Sequence, residues 1–356
     1  MSIIFVGSTG DCAGHSLFTW AIARRLKERG LRVGFVKPFG THPFPMDGLW
    51  ADRDALLFKR VLNLPESLDR ICPYPMTDRG WREARPSEIL EGLKTLLADL
   101  SAGRDVLLVM GSRHIFFDDA TGPLPETSFI PELGADSILI HRYRTVSKSV
   151  YSILSICSLL KDRVKGIIFN RVPIKDMERI KDLVLPSLAS KGAPVINALP
   201  EDPSLSFRSL REVGELLGGE LIGDEKSIEQ PVGGMTVGSA DLEGDLLFLK
   251  RAYNKIVLLS PSSSEAGSEK PLPRRPVAGI IMTGGRRISP QMLQAAQRAS
   301  VPVMMINEDT FSALERLEQS NSNLSSMDEI KVQRFSELMD RNSTFDRLFE
   351  SLKLLI

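Results

Sequence analysis

The stretch Ser2-Ile3-Ile4-Phe5-Val6-Gly7-Ser8-Thr9-Gly10-Asp11-Cys12-Ala13-Gly14-His15-Ser16-Leu17-Phe18 decides how the chain is read. Its apolar run Ile3–Val6 has the form of a buried parallel strand. A loop of small residues follows, and then Phe18, Ile22 and Leu26 recur at every fourth position, as on one face of a helix. In such a strand–loop–helix unit, backbone N–H groups converge on an anion at the helix N-terminus. Gly7–Ser16 therefore reads as a phosphate-binding loop, with Thr9, Gly10, Asp11, Cys12, Ala13, Gly14, His15 and Ser16 as its candidate contacts. Ser16 stands where these loops place a magnesium-ligating hydroxyl. His15 stands where they place a lysine. Imidazole is shorter, and with an ordinary pKa of about 6.5 it is mostly neutral at pH 7 unless a phosphate raises it. A tight strand-to-helix turn with no ligand accounts for the same glycines.

Working outward, further compact apolar runs lie at Val33–Val36, Val106–Met110, Ser137–His141, Gly166–Phe169 and Val195–Ala198. Helical patterns fall between them, at Ser16–Glu28, Ala51–Leu62, Ser87–Leu100, Val146–Leu160 and Ile174–Ser190. Strands alternating with helices predict an α/β fold, a parallel sheet wrapped on both faces. Lys37 ends the second run, at the carboxyl edge of the sheet where ligands of open parallel sheets bind. A helical stretch Leu205–Gly219 stops at Gly218-Gly219. A second unit then opens at Pro231, with strands expected at Ile256–Leu259, Val277–Met282 and Val301–Ile306. Helices are expected there at Leu242–Tyr253, Pro290–Ala299 and Phe311–Glu318, and a polar loop at Ser260–Pro276. Its Thr283-Gly284-Gly285-Arg286-Arg287 turn is either an anion site or a sharp strand-to-helix turn. The tail reads as two short amphipathic helices, packed on the body or on a partner. The expected division is 1–210, 211–320 and 321–356.

Bulk properties narrow the partners. The 356 residues carry 45 basic and 45 acidic side chains, so no basic face is offered to nucleic acid or to a membrane surface. The apolar start is too short for a signal peptide, and no run approaches the roughly 18 apolar residues of a membrane span. Cys12, Cys72 and Cys157 are odd in number and form no CxxC pair, which argues against disulfides or a zinc site and for a reduced, cytoplasmic protein.

With Lys37-Pro38-Phe39, Asp52-Arg53-Asp54 and the strand Asp105–Met110, the loop resembles the dethiobiotin synthetase family of P-loop proteins. Later segments widen the resemblance: Arg142-Tyr143-Arg144, Gly166–Pro173, Leu199–Pro203, Pro231–Met235 and Ile281–Gly285. In this order they are similar to the N-terminal regulatory region of long bacterial phosphate acetyltransferases and to stand-alone proteins with the same pair of domains. That resemblance implies a parallel-sheet P-loop NTPase-like domain, a smaller α/β DRTGG domain and a short helical tail. It implies ATP with magnesium as the ligand and a homodimer as the assembly. Carried over residue by residue, Gly14 and Ser16 fit the phosphate loop, Lys37 a substrate or phosphate contact, Ser16 and Asp54 the metal, with Asp52 an equally near neighbour, and Asn170 the base, or else a strand-end cap or turn residue. Two departures stand out: His15 replaces the loop lysine, and Met110 replaces a glutamate that completes the metal site in catalytic relatives. Asp118 and Asp119 are a distant substitute or a solvated turn. The expectation is a regulatory protein that binds a nucleotide or a small anion with its chemistry impaired. The alternative is an active ATP-dependent synthetase or ligase.

Overall fold

Six apolar runs build the central sheet of the first compact unit. They are β1 (Ser2–Ser8), β2 (Val33–Val36), β3 (Val106–Met110), β4 (Asp136–Arg142), β5 (Val164–Val172) and β6 (Val195–Pro200). All neighbours are parallel, in the order β6-β5-β4-β1-β3-β2. These coordinates are a computed structural model describing residues 1–10, 12–76, 85–112, 114–115, 124–229, 231–239, 256–260, 277–285, 288, 290–319, 324–325 and 328–354. The sheet is buried on both sides because its strands feed helices on both faces. Phe5, Leu107, Val109, Leu139 and Phe169 pack toward α3 (Pro86–Ser101), α4 (Glu126–Glu132) and α5 (Val146–Leu160). Elsewhere Phe35 stacks on Phe58 of α2 (Arg53–Leu62), with ring centroids 4.0 Å apart. β1 lies between β3 and β4, so whatever follows it sits between their carboxyl ends.

Two expected helices come out shorter, each for a local reason. The pattern at Ala51–Leu62 is helical only from Arg53. Leu49–Asp52 instead pairs antiparallel with Pro43–Met46 across Asp47-Gly48, both at positive φ, as a two-residue hairpin turn requires. Asp52 then caps α2, its carboxylate accepting from the N–H groups of Asp54 and Ala55. Ile174–Ser190 is a chain of short turns with a π segment at Ile180–Val184 just before Pro186, which has no N–H to give the preceding turn.

The chain leaves this unit after Glu201 and rejoins it at Leu324; Asp202–Asn323 forms the second unit. There α6 (Leu210–Leu217) begins in a capping box between Ser209 and Glu212 and ends at Gly218, in the left-handed region. It is shorter than the expected Leu205–Gly219 because Asp202 starts a separate 3₁₀ turn and Arg208–Ser209 pairs with Pro231–Val232. The sheet contains β7 (Glu220–Ile222), β8 (Met235–Ser239), β9 (Ile256–Ser260), β10 (Gly279–Met282) and β11 (Val303–Met305), in the order β7-β11-β10-β9-β8. Only β7 is antiparallel to its neighbour. Helices α7 (Pro290–Arg298) and α8 (Thr310–Gln319) follow the pattern read from sequence. The helix expected at Leu242–Tyr253 and residues 261–276 of the expected loop lie outside the described residues.

The tail, α9 (Glu329–Arg341) and α10 (Thr344–Ser351), belongs to the first unit. Phe335 meets Phe18 of α1 (His15–Glu28) edge to face at 6.4 Å. The Arg25 and Arg29 guanidinium groups lie 4.8 and 4.4 Å over the rings of Phe345 and Phe349. The two readings of the tail, own body or partner, resolve to the chain's own body. Among the described residues, no helix is long and apolar enough to cross a membrane. Phe335→Ala removes a fully buried ring from this contact and is expected to cost about 3–5 kcal/mol, read as a lower urea midpoint for the first unit.

Candidate functional site

β1 hands over to α1 through Thr9–Gly14, with Gly14 as the N-cap of the helix. Gly14 sits at φ 90°, where a side chain is strained, and a Cβ there would come within 2.9 Å of the Asn170 amide. Among the described residues, no side-chain hydrogen bond caps α1 and its first turn holds no acid, so its N–H groups and positive dipole end face the loop. Ser16, the second residue of α1, is half-buried there. Asp11 lies outside the described residues.

Three contacts fix the loop. Asn170, near the end of β5, donates from Nδ2 to the Ala13 carbonyl at 2.8 Å, and its Oδ1 accepts the Arg171 N–H at 2.9 Å. The Arg171 guanidinium reaches the Cys12 carbonyl at 3.4 Å. Thr9 Oγ1 lies 2.6 Å from His141 Nδ1, and His141 Nε2 lies 2.7 Å from Ser149 Oγ on α5. Burial pushes the His141 imidazole down to about 4, with His114 working in the same direction, so it is neutral at pH 7. Beyond β3, Thr9 bridges antiparallel to His114, and the Ile115 N–H donates to the Ser8 carbonyl at 2.6 Å. Asn170 was expected to read a base; in this structure both ends of its amide hold the loop and the strand behind it.

Lys37 is wholly buried beside this loop. Its Nζ lies 2.6 Å from Asp54 Oδ2, 3.0 and 3.2 Å from the two Asp52 oxygens, and 3.4 Å from Thr41 Oγ1. Burial alone would favour loss of the proton, but the two carboxylates outweigh it and hold the ammonium above the usual lysine range. Asp54 is likewise held below the usual carboxylate range: burial opposes its charge, while Lys37, His42 and His15 favour it. Asp52 also accepts the His42 N–H with Oδ2 at 2.9 Å, while its Oδ1 accepts the N–H groups of Asp54 and Ala55 at the head of α2. His42, Asp52 and Asp54 place ligand-type atoms within 4.8 Å of one another, but the Lys37 ammonium already sits on both carboxylates. His114 and His141 thus both meet Thr9 of the loop, His15 follows it, and His42 lies beside Asp54.

Met110 ends β3 fully buried, level with Val6 of β1. It brings a thioether to a strand end where magnesium would need hard oxygen. A carboxylate arrives nearby from elsewhere. Glu126, the first residue of α4 and 3% exposed, accepts the Ser112 N–H with one oxygen. Its other oxygen has no hydrogen-bond partner among the described residues. Burial pushes this carboxyl up to about 7, against the Ser112 hydrogen bonds and the charge of Lys37. Sequence reading missed Glu126, His42 and the Thr9–His141 pair. Of these only the Asp47-Gly48 turn, which sets Pro43 opposite Asp52 and so brings the His42 N–H to it, had a local signal. Asp118 and Asp119 lie outside the described residues.

In the second unit, the Thr283-Gly284-Gly285 turn is a sharp strand-to-helix turn. Its Gly284 and Gly285 N–H groups donate to the Glu308 and Ile306 carbonyls at 2.7 and 3.0 Å, so these amides are not offered to an anion. Arg286 and Arg287 lie outside the described residues.

Residues 2–209 match the AAA domain family and residues 212–320 the DRTGG domain. Among characterised proteins, the chain is similar to the ATP-dependent dethiobiotin synthetase of Nitrosopumilus maritimus, 26% identical over 60% of this chain and 95% of that one. It is also similar to the phosphate acetyltransferase of Pseudomonas aeruginosa, 21% identical over 98% of this chain and 52% of that one. The chain thus spans about half the length of that acetyltransferase. A solved structure of the CBS and DRTGG domains of the regulatory region of Clostridium perfringens pyrophosphatase, complexed with its activator diadenosine tetraphosphate, is similar at 19% identity. The match covers 34% of this chain and 51% of that one, with a TM-score of 0.26.

Two outcomes test this geometry. Lys37→Met strands two buried carboxylates and is expected to cost about 3–5 kcal/mol, measured by urea unfolding at pH 7. For His141, the unfolded imidazole takes a proton near pH 6.5 and the folded one only near 4. The unfolded state therefore binds more protons in that window, and the His141 contribution, intact above pH 6.5, is lost as pH falls toward 4. His141→Gln should flatten that part of the stability curve.

Proposed function

As a member of the AAA domain family over residues 2–209, carrying a DRTGG domain over residues 212–320, this chain is, we propose, a regulatory protein that binds a nucleoside triphosphate at its phosphate loop and is impaired in phosphoryl transfer. The observation that carries the reading is the loop itself. Gly14 is in the left-handed region, the α1 N-terminus has no side-chain cap or first-turn acid among the described residues, and Asn170, Arg171 and His141 hold the surrounding backbone. A preformed cradle of N–H groups at a helix start suits a phosphate.

The impairment rests on charge. A loop lysine follows the phosphate through transfer and stabilises the charge that develops there. The imidazole of His15 is shorter and lacks lysine's permanent charge. Lys37 does not replace the missing cation, since its ammonium is committed to Asp52 and Asp54. Ser16 and Asp54 offer hard oxygen to magnesium; Met110 offers none. Magnesium, when bound, would screen the phosphate charge and orient the terminal oxygens.

The second reading, an ATP-dependent synthetase, is favoured by one comparison: similarity over nearly the full length of a dethiobiotin synthetase. Calorimetry with ATP and magnesium separates the two. The regulatory reading expects saturable binding that Ser16→Ala weakens, hydrolysis at background level, and a gain in affinity in His15→Lys. Hydrolysis that vanishes in Ser16→Ala establishes the enzyme instead, and absence of any ATP binding removes both.

A further inference from the structure

We propose that Glu126 supplies the carboxylate that Met110 lacks, as an oxygen donor to a divalent cation bound with nucleotide at the phosphate loop. The inference rests on the nucleotide-binding reading above and adds a residue to it. Four features of the molecule converge on it.

The first is position. β2 and β3 are in register at Val36 and Val109, so Lys37 and Met110 end neighbouring strands at the same level. Glu126 binds the backbone of Ser112, two residues further along. The segment it holds is the one that runs beside the phosphate loop, through the Thr9–His114 bridge and the Ile115 to Ser8 hydrogen bond. A carboxylate that reaches the end of β3 from α4 therefore arrives where a strand-borne acid would have stood.

The second is an unused oxygen. Burying a carboxylate costs free energy unless its oxygens are paired. One Glu126 oxygen is satisfied by Ser112 and the other has no partner among the described residues. A structural role at the Ser112 N–H would need only one acceptor, which a glutamine provides equally well.

The third is the space made for it. A Cβ at residue 111 would lie 2.8 Å from one Glu126 oxygen and 3.1 Å from the other. The Phe5 ring would lie 2.6 Å from the same Cβ, so Gly111 makes room for both that ring and this carboxylate at the strand end. The fourth is the field: Lys37 is close enough to act on the Glu126 charge, which puts the carboxylate in the same electrostatic neighbourhood as Asp54.

The test uses manganese as the probe, with the full chain and ATP, and follows free Mn²⁺ by electron paramagnetic resonance. Glu126→Gln keeps an acceptor for the Ser112 N–H and removes the charge. It is expected to weaken Mn²⁺ in the ATP complex by about 10- to 100-fold, the range seen when groups supporting a metal site are removed. Metal-free ATP affinity should stay within about twofold, which a loop disordered by the substitution would not allow. The double variant Met110→Glu with Glu126→Gln should recover Mn²⁺ affinity, because it returns the carboxylate to the strand end. If Glu126→Gln fails to fold, Glu126→Asp carries the comparison, with an intermediate loss expected. Unchanged Mn²⁺ affinity in folded Glu126→Gln overturns the assignment while leaving nucleotide binding intact. Absence of metal-free and Mn²⁺-dependent ATP binding in the unsubstituted chain overturns the nucleotide reading, and this inference with it.

Discussion

One buried ammonium organises the end of the sheet. Lys37 leaves β2 into a space closed to water and is held there by Asp52 and Asp54. An unpaired charge in that position would be several kcal/mol too costly, so the carboxylates must be where they are. That requirement fixes the hairpin Pro43–Asp52, which delivers Asp52 to the head of α2, and it fixes α2, whose first turn carries Asp54. His42 is drawn in through its backbone N–H to Asp52. The ion cluster therefore sets the wall of the crevice beside the phosphate loop before any ligand arrives.

The same cluster separates binding from chemistry. A lysine that follows a phosphate must be able to move with it, and one already shared between two carboxylates is anchored. With His15 at the loop a permanent positive charge is missing there, and with Met110 at the strand end hard oxygen has to come from Ser16, Asp54 and, as proposed, Glu126. What remains is backbone: converging N–H groups, a helix dipole and a rigid loop. On the proposed reading, these would bind phosphate without transferring it.

Much of this was legible in the chain because it is local. The apolar runs that became β1 to β6 are continuous and bounded, as doubly covered strands are, and the loop after β1 announces itself by composition. Lys37 could be placed at the sheet edge by counting along a strand. Nothing local showed that Asp52 and Asp54 would consume its charge; Asp54 read instead as a metal ligand. Asn170 was legible as a strand-end polar residue; its bond to Ala13 joins positions distant in sequence and leaves no local mark. Glu126 was invisible for the same reason, since nothing near it in sequence mentions Ser112. The hairpin that shortens α2 had a readable signal in Asp47-Gly48, overridden by the helical spacing that follows.

The tail carries a consequence for how the protein is made. α9 and α10 cover the outer side of α1 and reach β5 and β6, yet they are synthesised after the whole of Asp202–Asn323. At a synthesis rate of about 5–20 residues per second, the first unit waits on the order of ten seconds with Phe18 and its neighbours uncovered. The nascent chain in that interval has a nearly complete phosphate loop and an incomplete core. Chaperone engagement, or a nucleotide held early, would matter most then, and a fragment that stops at residue 210 preserves that exposed intermediate permanently.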